Sequence, residues 1–187
     1  MQEDSFVSVA MLAAKSVIDR PLSIERGAAL LYQVTVDNKL NVEVDPKNPK
    51  RGQAAFQTDL CIFEQVDKDV KIPRVVLEFK KGLSTHDVLV YSSKARRHKQ
   101  IYPYLRYGLV IGEESKVPGK FFTHNEALDF CVAANTFKGE RLQEIMAKLL
   151  KVEIEESRKL EKITYGKNNY YLFRTAIILE EGTGKIV

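Results

Sequence analysis

Arg74-Val75-Val76-Leu77-Glu78-Phe79-Lys80 is a run of β-branched and apolar residues, preceded by Pro73 and closed by Gly82. That composition and those borders read as a strand. Side chains alternate across a strand, so Val75, Leu77 and Phe79 point one way while Val76, Glu78 and Lys80 point the other. An acid and a lysine therefore project side by side from an otherwise apolar element. Upstream, Ala55-Phe56-Gln57-Thr58-Asp59-Leu60-Cys61-Ile62-Phe63 also reads as a strand, and the polar stretch from Asp67 to Lys71 supplies a turn before the return. An antiparallel hairpin of these strands brings Asp59 beside Glu78, with Cys61 on the same face as a buried free thiol.

Two carboxylates brought to one spot repel each other unless a cation lies between them. Hard oxygen ligands with room for water suit Mg²⁺ or Mn²⁺. Such an ion lowers the pKa of a bound water and neutralises charge developing on a phosphate, and a neighbouring Lys80 can steady the attacking hydroxide or the crowded phosphorus. On the residues alone, a solvent-exposed Glu/Lys pair with Asp59 as an isolated acid is an equally good reading.

Asp59, the eighteen residues 60 to 77 and then Glu78-x-Lys80 resemble the PD-(D/E)XK nuclease signature, in which an aspartate opens one strand and acid-x-lysine lies on the next. Thr58 stands where that pattern has a proline. The resemblance covers roughly residues 23 to 112 and implies a restriction endonuclease-like α/β fold, a mixed sheet flanked by helices. It implies that Asp59 and Glu78 are metal ligands and that Lys80 is the catalytic lysine. Glu25, in an expected helix from Ser23 to Val34, stands where many members carry a further metal-associated glutamate. A carboxylate in a first helical turn is equally explained by the helix dipole. Gln100-Ile101-Tyr102-Pro103-Tyr104 resembles the Gln-x-x-x-Tyr element of RecB-like nucleases and type I restriction subunits, which adds Gln100 to the catalytic set and Tyr104 to the DNA-binding one. Pro103 lacks an amide hydrogen and disfavours helical geometry at Tyr102, so Tyr104 need not share a face with Gln100.

The segment Ser92-Ser93-Lys94-Ala95-Arg96-Arg97-His98-Lys99-Gln100 places four permanent cations and a histidine on an expected helix beginning near Thr85. Val88, Tyr91, Ala95 and Tyr102 form its apolar face, and Ser93, Arg97 and Gln100 follow a second stripe. A solvated charged face is the bland reading. Proximity to Lys80 and Lys81 favours phosphate contact, because lysine and arginine neutralise a DNA backbone while releasing counterions. Lys81, Lys94, Arg96, Arg97, His98 and Lys99 are the expected DNA contacts, with His98 exposed or facing phosphate.

The 187 residues, 44% hydrophobic and 29% charged, suffice for one well-buried domain. The net charge of +4 is modest, but cations gathered at 94 to 99 and acids at Glu153, Glu155 and Glu156 make it uneven. Cys61 and Cys131 are unclustered and suggest neither a zinc site nor a disulfide framework. No run is long enough to cross a membrane, and a cytoplasmic protein is expected.

Along the chain, residues 5 to 18 read as a helix, Asn41 to Asp45 as a short strand and Tyr107 to Gly112 as a buried strand. The loop from Asp45 to Gly52 is basic and turn-rich. Leu142, Ile145, Met146, Leu149 and Val152 open a long C-terminal helical stripe that continues through Leu160 and Ile163 to a cap at Gly166, and Tyr170 to Leu179 reads as a final strand. The expected function is a Mg²⁺-dependent deoxyribonuclease, of restriction type or serving a larger restriction or repair protein. A structure-specific nuclease and a non-cleaving DNA-binding module of the same fold are the alternatives. Partners beyond DNA are left open, although cutting both strands of a symmetric site favours a homodimer.

Overall fold

The computed structural model describes residues 3–52, 54–137 and 139–179. Helix α1 (Glu3–Val17) leads into β1 (Leu22–Arg26), β2 (Ala29–Leu31), β3 (Ala55–Gln57), β4 (Leu60–Asp67) and β5 (Val70–Lys80). Helix α2 (Thr85–Ile101) crosses to β6 (Arg106–Ile111), the short α3 (Gly119–His124) to β7 (Phe130–Ala133), and α4 (Glu140–Tyr165) closes the order. The main sheet has the order β1-β4-β5-β6-β7, antiparallel from β1 to β5 and parallel from β5 to β7. The expected α/β architecture, a mixed sheet flanked by helices with a long C-terminal helix, is what the chain adopts. None of its helices is long and apolar enough to cross a membrane among the described residues.

The alternation read from residues 74 to 80 becomes two cores. Val75, Leu77 and Phe79 join Leu60, Ile62 and Val110 beneath α1 and α4. Val76 joins Cys61, Tyr107 and Leu109 beneath α2 and α3. A strand buried on both faces is a near-continuous apolar run, which is why Val75 to Phe79 is so uniform in character. Helix α1 offers Val7, Ala10, Ala13 and Ala14 to the first core, and α4 offers Leu142, Met146, Leu150 and Ile154. The α4 stripe thus turns its seam away from Val152 and Ile163, which are exposed. Ion pairs fasten that helix further along: Arg74 reaches Glu64 and Glu161, each at 2.6 Å, and Arg158 also reaches Glu64 at 2.6 Å.

Several expectations are corrected. The helix expected from Ser23 to Val34 is instead β1 and β2. Leu22 and Ile24 pack against the core under α1, the backbone of β1 pairs with β4, and Gly27 at φ 65° breaks the chain between the two strands. Local helix propensity in Ala28-Ala29-Leu30-Leu31 yields there to cross-strand pairing. The strand expected from Ala55 to Phe63 is split at Thr58-Asp59: β3 pairs with β2 in a separate ribbon, while β4 enters the main sheet. The Thr58 N–H, 2.8 Å from the Ala28 carbonyl, and the Gly27 N–H, 3.2 Å from the Asp59 carbonyl, fix that junction. Of the strand expected at residues 41 to 45 only a Val36–Val42 bridge forms. No strand follows α4 among the described residues: 170 to 179 are exposed and unpaired, and a strand exists only by pairing. Strand β7 and helix α3 were not expected.

Gly108 on β6 pairs with Phe130 on β7, and a β-carbon at Gly108 would overlap the Phe130 ring. The aromatic fills the space that the glycine leaves. Gly108→Ala should lower stability by about 1–3 kcal/mol through overpacking, read as a fall in the urea midpoint at unchanged m-value, whereas an unchanged midpoint would mean that Phe130 repacks freely.

Candidate active site

Asp59 stands at the entrance to β4, where the chain passes from the small ribbon into the sheet. Its Oδ2 accepts a hydrogen bond from the Phe79 N–H at 2.8 Å, which holds the carboxylate against β5 next to Glu78. The register pairs Leu60 with Leu77, so Asp59 and Glu78 fall on the same face, the one covered by α2. The hairpin expectation is met in this respect. Asp59 is exposed, while Glu78 is 2% exposed.

Glu78 is not an isolated acid. Its Oε1 accepts from the Lys94 ammonium at 2.6 Å and from the Tyr107 hydroxyl at 2.5 Å. Burial raises its pKa, the Lys94 charge and the two hydrogen bonds pull it back, and the Asp59 charge pushes it up again, leaving it at about 7. Lys94 also donates to the Gln57 carbonyl at 2.7 Å, so one ammonium ties α2 to both β3 and β5. Lys94 was expected on the DNA-facing surface; its side chain is 18% exposed and turned onto Glu78.

Lys80 is two residues beyond Glu78 on the same face, as its place in the strand requires. Its Nζ lies 3.0 Å from Asp87 Oδ1 in the first turn of α2. Asp87 also forms a capping box with Ser84. Partial burial raises the Asp87 pKa, but the Ser84 hydrogen bonds and the Lys80 charge outweigh it and hold the group down to about 2. Lys80 is 40% exposed and within reach of solvent.

Glu25 lies on β1 and not in a helical turn, so the dipole explanation lapses. Its register partner is Cys61, and its carboxylate forms an ion pair with Lys71. Cys61 is fully buried, and burial followed by the Glu25 charge raises its pKa well above the ordinary value. No group of three or more His, Cys, Asp or Glu able to hold a metal occurs among the described residues. The acidic site is therefore the Asp59–Glu78 pair. Two carboxylates on neighbouring strands, one of them open to water, fit Mg²⁺, which keeps several waters and uses one or two carboxylates.

The remaining residues of the basic segment divide. Lys81, 60% exposed and 3.0 Å from Glu113, Arg96 and Arg97 lie outward, as does Gln100. Lys99 is drawn inward to Asp129 at 2.7 Å and the Ala127 carbonyl at 2.7 Å. Tyr104 is 7% exposed, because α2 ends at Ile101 and the chain turns through Pro103; its ring meets Arg74 and Tyr165 on the side of α4. It does not share a face with Gln100.

His98 is the largest correction, since it is fully buried rather than exposed. Its Nδ1 lies 3.0 Å from the Leu31 carbonyl, which makes Nδ1 the protonated nitrogen and leaves Nε2 without a partner. The imidazole stacks on Tyr107 at 5.7 Å and meets Phe56 edge-on at 5.9 Å. Burial, with the Lys94 charge adding to it, lowers the His98 pKa to about 4. Tyr107, Gln57 and the buried role of Lys94 were missed in the sequence. The i, i+4 spacing of Lys94 and His98 was the available signal that both face the sheet.

The two displaced acid–base groups act on stability in opposite senses. Below 6.5 the unfolded chain takes up a proton that buried His98 resists down to about 4, so stability is lost as pH falls through that window. Above 4.5 the unfolded chain releases a proton that Glu78 keeps up to about 7, so stability is lost as pH rises through that one. Each is worth about 3 kcal/mol over its full span, and they offset each other where they overlap. Urea unfolding between pH 4.5 and 6.5 should therefore give a nearly flat profile for the wild type, a rising one for Glu78→Gln and a falling one for His98→Phe. Parallel profiles in the three proteins would refute this assignment. No family model matches the chain, and no curated protein matches it, so the chemistry of the site rests on its geometry.

Proposed function

We propose that the protein is a metal-dependent nuclease that hydrolyses DNA phosphodiester bonds. The observation that carries this reading is the convergence of Asp59 and Glu78 on adjoining strands, with Lys80 two residues further along the same face. Asp59 and Glu78 would hold Mg²⁺ or Mn²⁺, and the ion would supply a lowered pKa for bound water and charge neutralisation at phosphorus.

The chain's own groups have separate tasks. Glu78 is held in place by Tyr107 and by Lys94, whose ammonium would yield some of its hold if a divalent cation engaged the carboxylate. Lys80 exchanges Asp87 for the non-bridging phosphate oxygens, where its charge counts most as negative charge builds. Water oxygen then bonds to phosphorus as the water gives up a proton to solvent, the bond from phosphorus to the leaving sugar oxygen breaks, and that oxygen takes up a proton from solvent. Arg96, Arg97 and Lys81 lie outward, where cations can meet phosphates on either side of the scissile one. Gln100, also exposed, stands one helical turn from Arg97 on the same stripe.

A second reading, a DNA-binding module that does not cut, draws on the Lys94–Glu78 ion pair, which satisfies the buried carboxylate without any metal. Metal dependence separates the two. Cleavage of supercoiled, linear and branched DNA with Mg²⁺ or Mn²⁺ should be abolished by Asp59→Asn and Glu78→Ala and slowed about 100-fold or more by Lys80→Ala. Salt-sensitive DNA binding without cutting on any substrate would favour the binding module, and cutting that survives in all three variants would place the chemistry elsewhere.

A further inference from the structure

Beside the acidic pair, across Lys94, lies a cavity of about 360 Å³ lined by Tyr32, Arg51, Ala55, Phe56, Gln57 and Lys94. Its wall is aromatic: the Tyr32 and Phe56 rings stack at 4.0 Å with an interplanar angle of 18°, and Phe56 is 37% exposed. The edge of buried His98 braces Phe56 from inside. Its rim is cationic. Arg51 is fixed by a 3.0 Å hydrogen bond to Gln57, Arg97 stands 5.9 Å from the Tyr32 ring, and Lys94 reaches both the Gln57 carbonyl and Glu78. No acid is among the described residues that line the cavity. A volume near the lower end of small-molecule sites is enough for one planar group.

Flat π-faces bounded by arginine and lysine match a nucleobase with its attached phosphate. We propose that this cavity receives a single unpaired nucleotide, whose base stacks on the open face of Phe56, backed by Tyr32, while Arg51 and Lys94 hold its phosphate beside Asp59 and Glu78. This deepens the nuclease reading and rests on it: the substrate is DNA with unpaired nucleotides, such as ends, flaps or gaps, and not fully paired duplex. Lys94 then links the two sites, since a phosphate competing for its ammonium loosens it from Glu78.

The test measures binding and not cutting, so its outcome is independent of whether the protein is a nuclease. Fluorescence anisotropy in metal-free buffer compares a short oligothymidylate with a blunt duplex for the wild type, Tyr32→Leu and Phe56→Leu. A terminal 2-aminopurine on a second oligonucleotide reports stacking directly. The expected result is about a tenfold loss of single-strand affinity in each variant, loss of the 2-aminopurine quenching, and unchanged duplex affinity. Equal losses on both DNAs, or no loss on the single strand by variants whose thermal unfolding matches the wild type, would overturn the cavity assignment. Single-strand binding through Tyr32 and Phe56 without metal-dependent cutting would leave the cavity standing and remove only the nuclease reading.

Discussion

Strand β5 is covered by α1 and α4 on one face and by α2 on the other, so any charged group on it must bring its own partner into the interior. Glu78 is that group. Leaving a carboxylate unpaired there would cost several kcal/mol, and the Lys94 ammonium with the Tyr107 hydroxyl removes most of that penalty. The need to satisfy Glu78 therefore dictates how α2 lies across the sheet, and Lys94 bonding to β3 as well as β5 extends the constraint to the small ribbon. The position of Asp59 follows, because the junction between the ribbon and β4 places its carboxylate on the Phe79 amide.

A buried ion pair of this kind adds little net stability, since desolvation offsets most of the attraction. A carboxylate at about 7 is poised between its two charge states, and a cation entering beside it shifts that balance toward the charged form. His98 is the opposite case, a group kept neutral by burial with the Lys94 charge adding to it. Both sit against Tyr107, so one ring supports a polar site on one side and an apolar one on the other.

The strand around Glu78 was legible because its signal is intrinsic: β-branched residues, a two-residue period and bordering Pro73 and Gly82. The long C-terminal helix and α2 were legible for the same reason, through a 3.6-residue period. The stretch from Ser23 to Leu31 was not, because its helix-like composition loses to pairing with β4 and β3, partners more than twenty residues away in sequence. Exposure of the basic segment was misread at Lys94, His98 and Lys99, since charge on a helix says nothing about which turn meets an acid or a carbonyl on the sheet. Tyr104 was separated from Gln100 by Pro103, a boundary that the sequence does contain.

The sequence by itself determined the α/β class, the face shared by Glu78 and Lys80, and the burial of Val88 and Ala95 on α2, because these depend on local periodicity. Only the tertiary structure decided which cation meets Glu78, that Lys71 holds Glu25, that His98 is interior and that Tyr32 and Phe56 stack beside the acids. Those contacts join residues distant along the chain, and their geometry is set by the packing of helix on sheet rather than by any local preference.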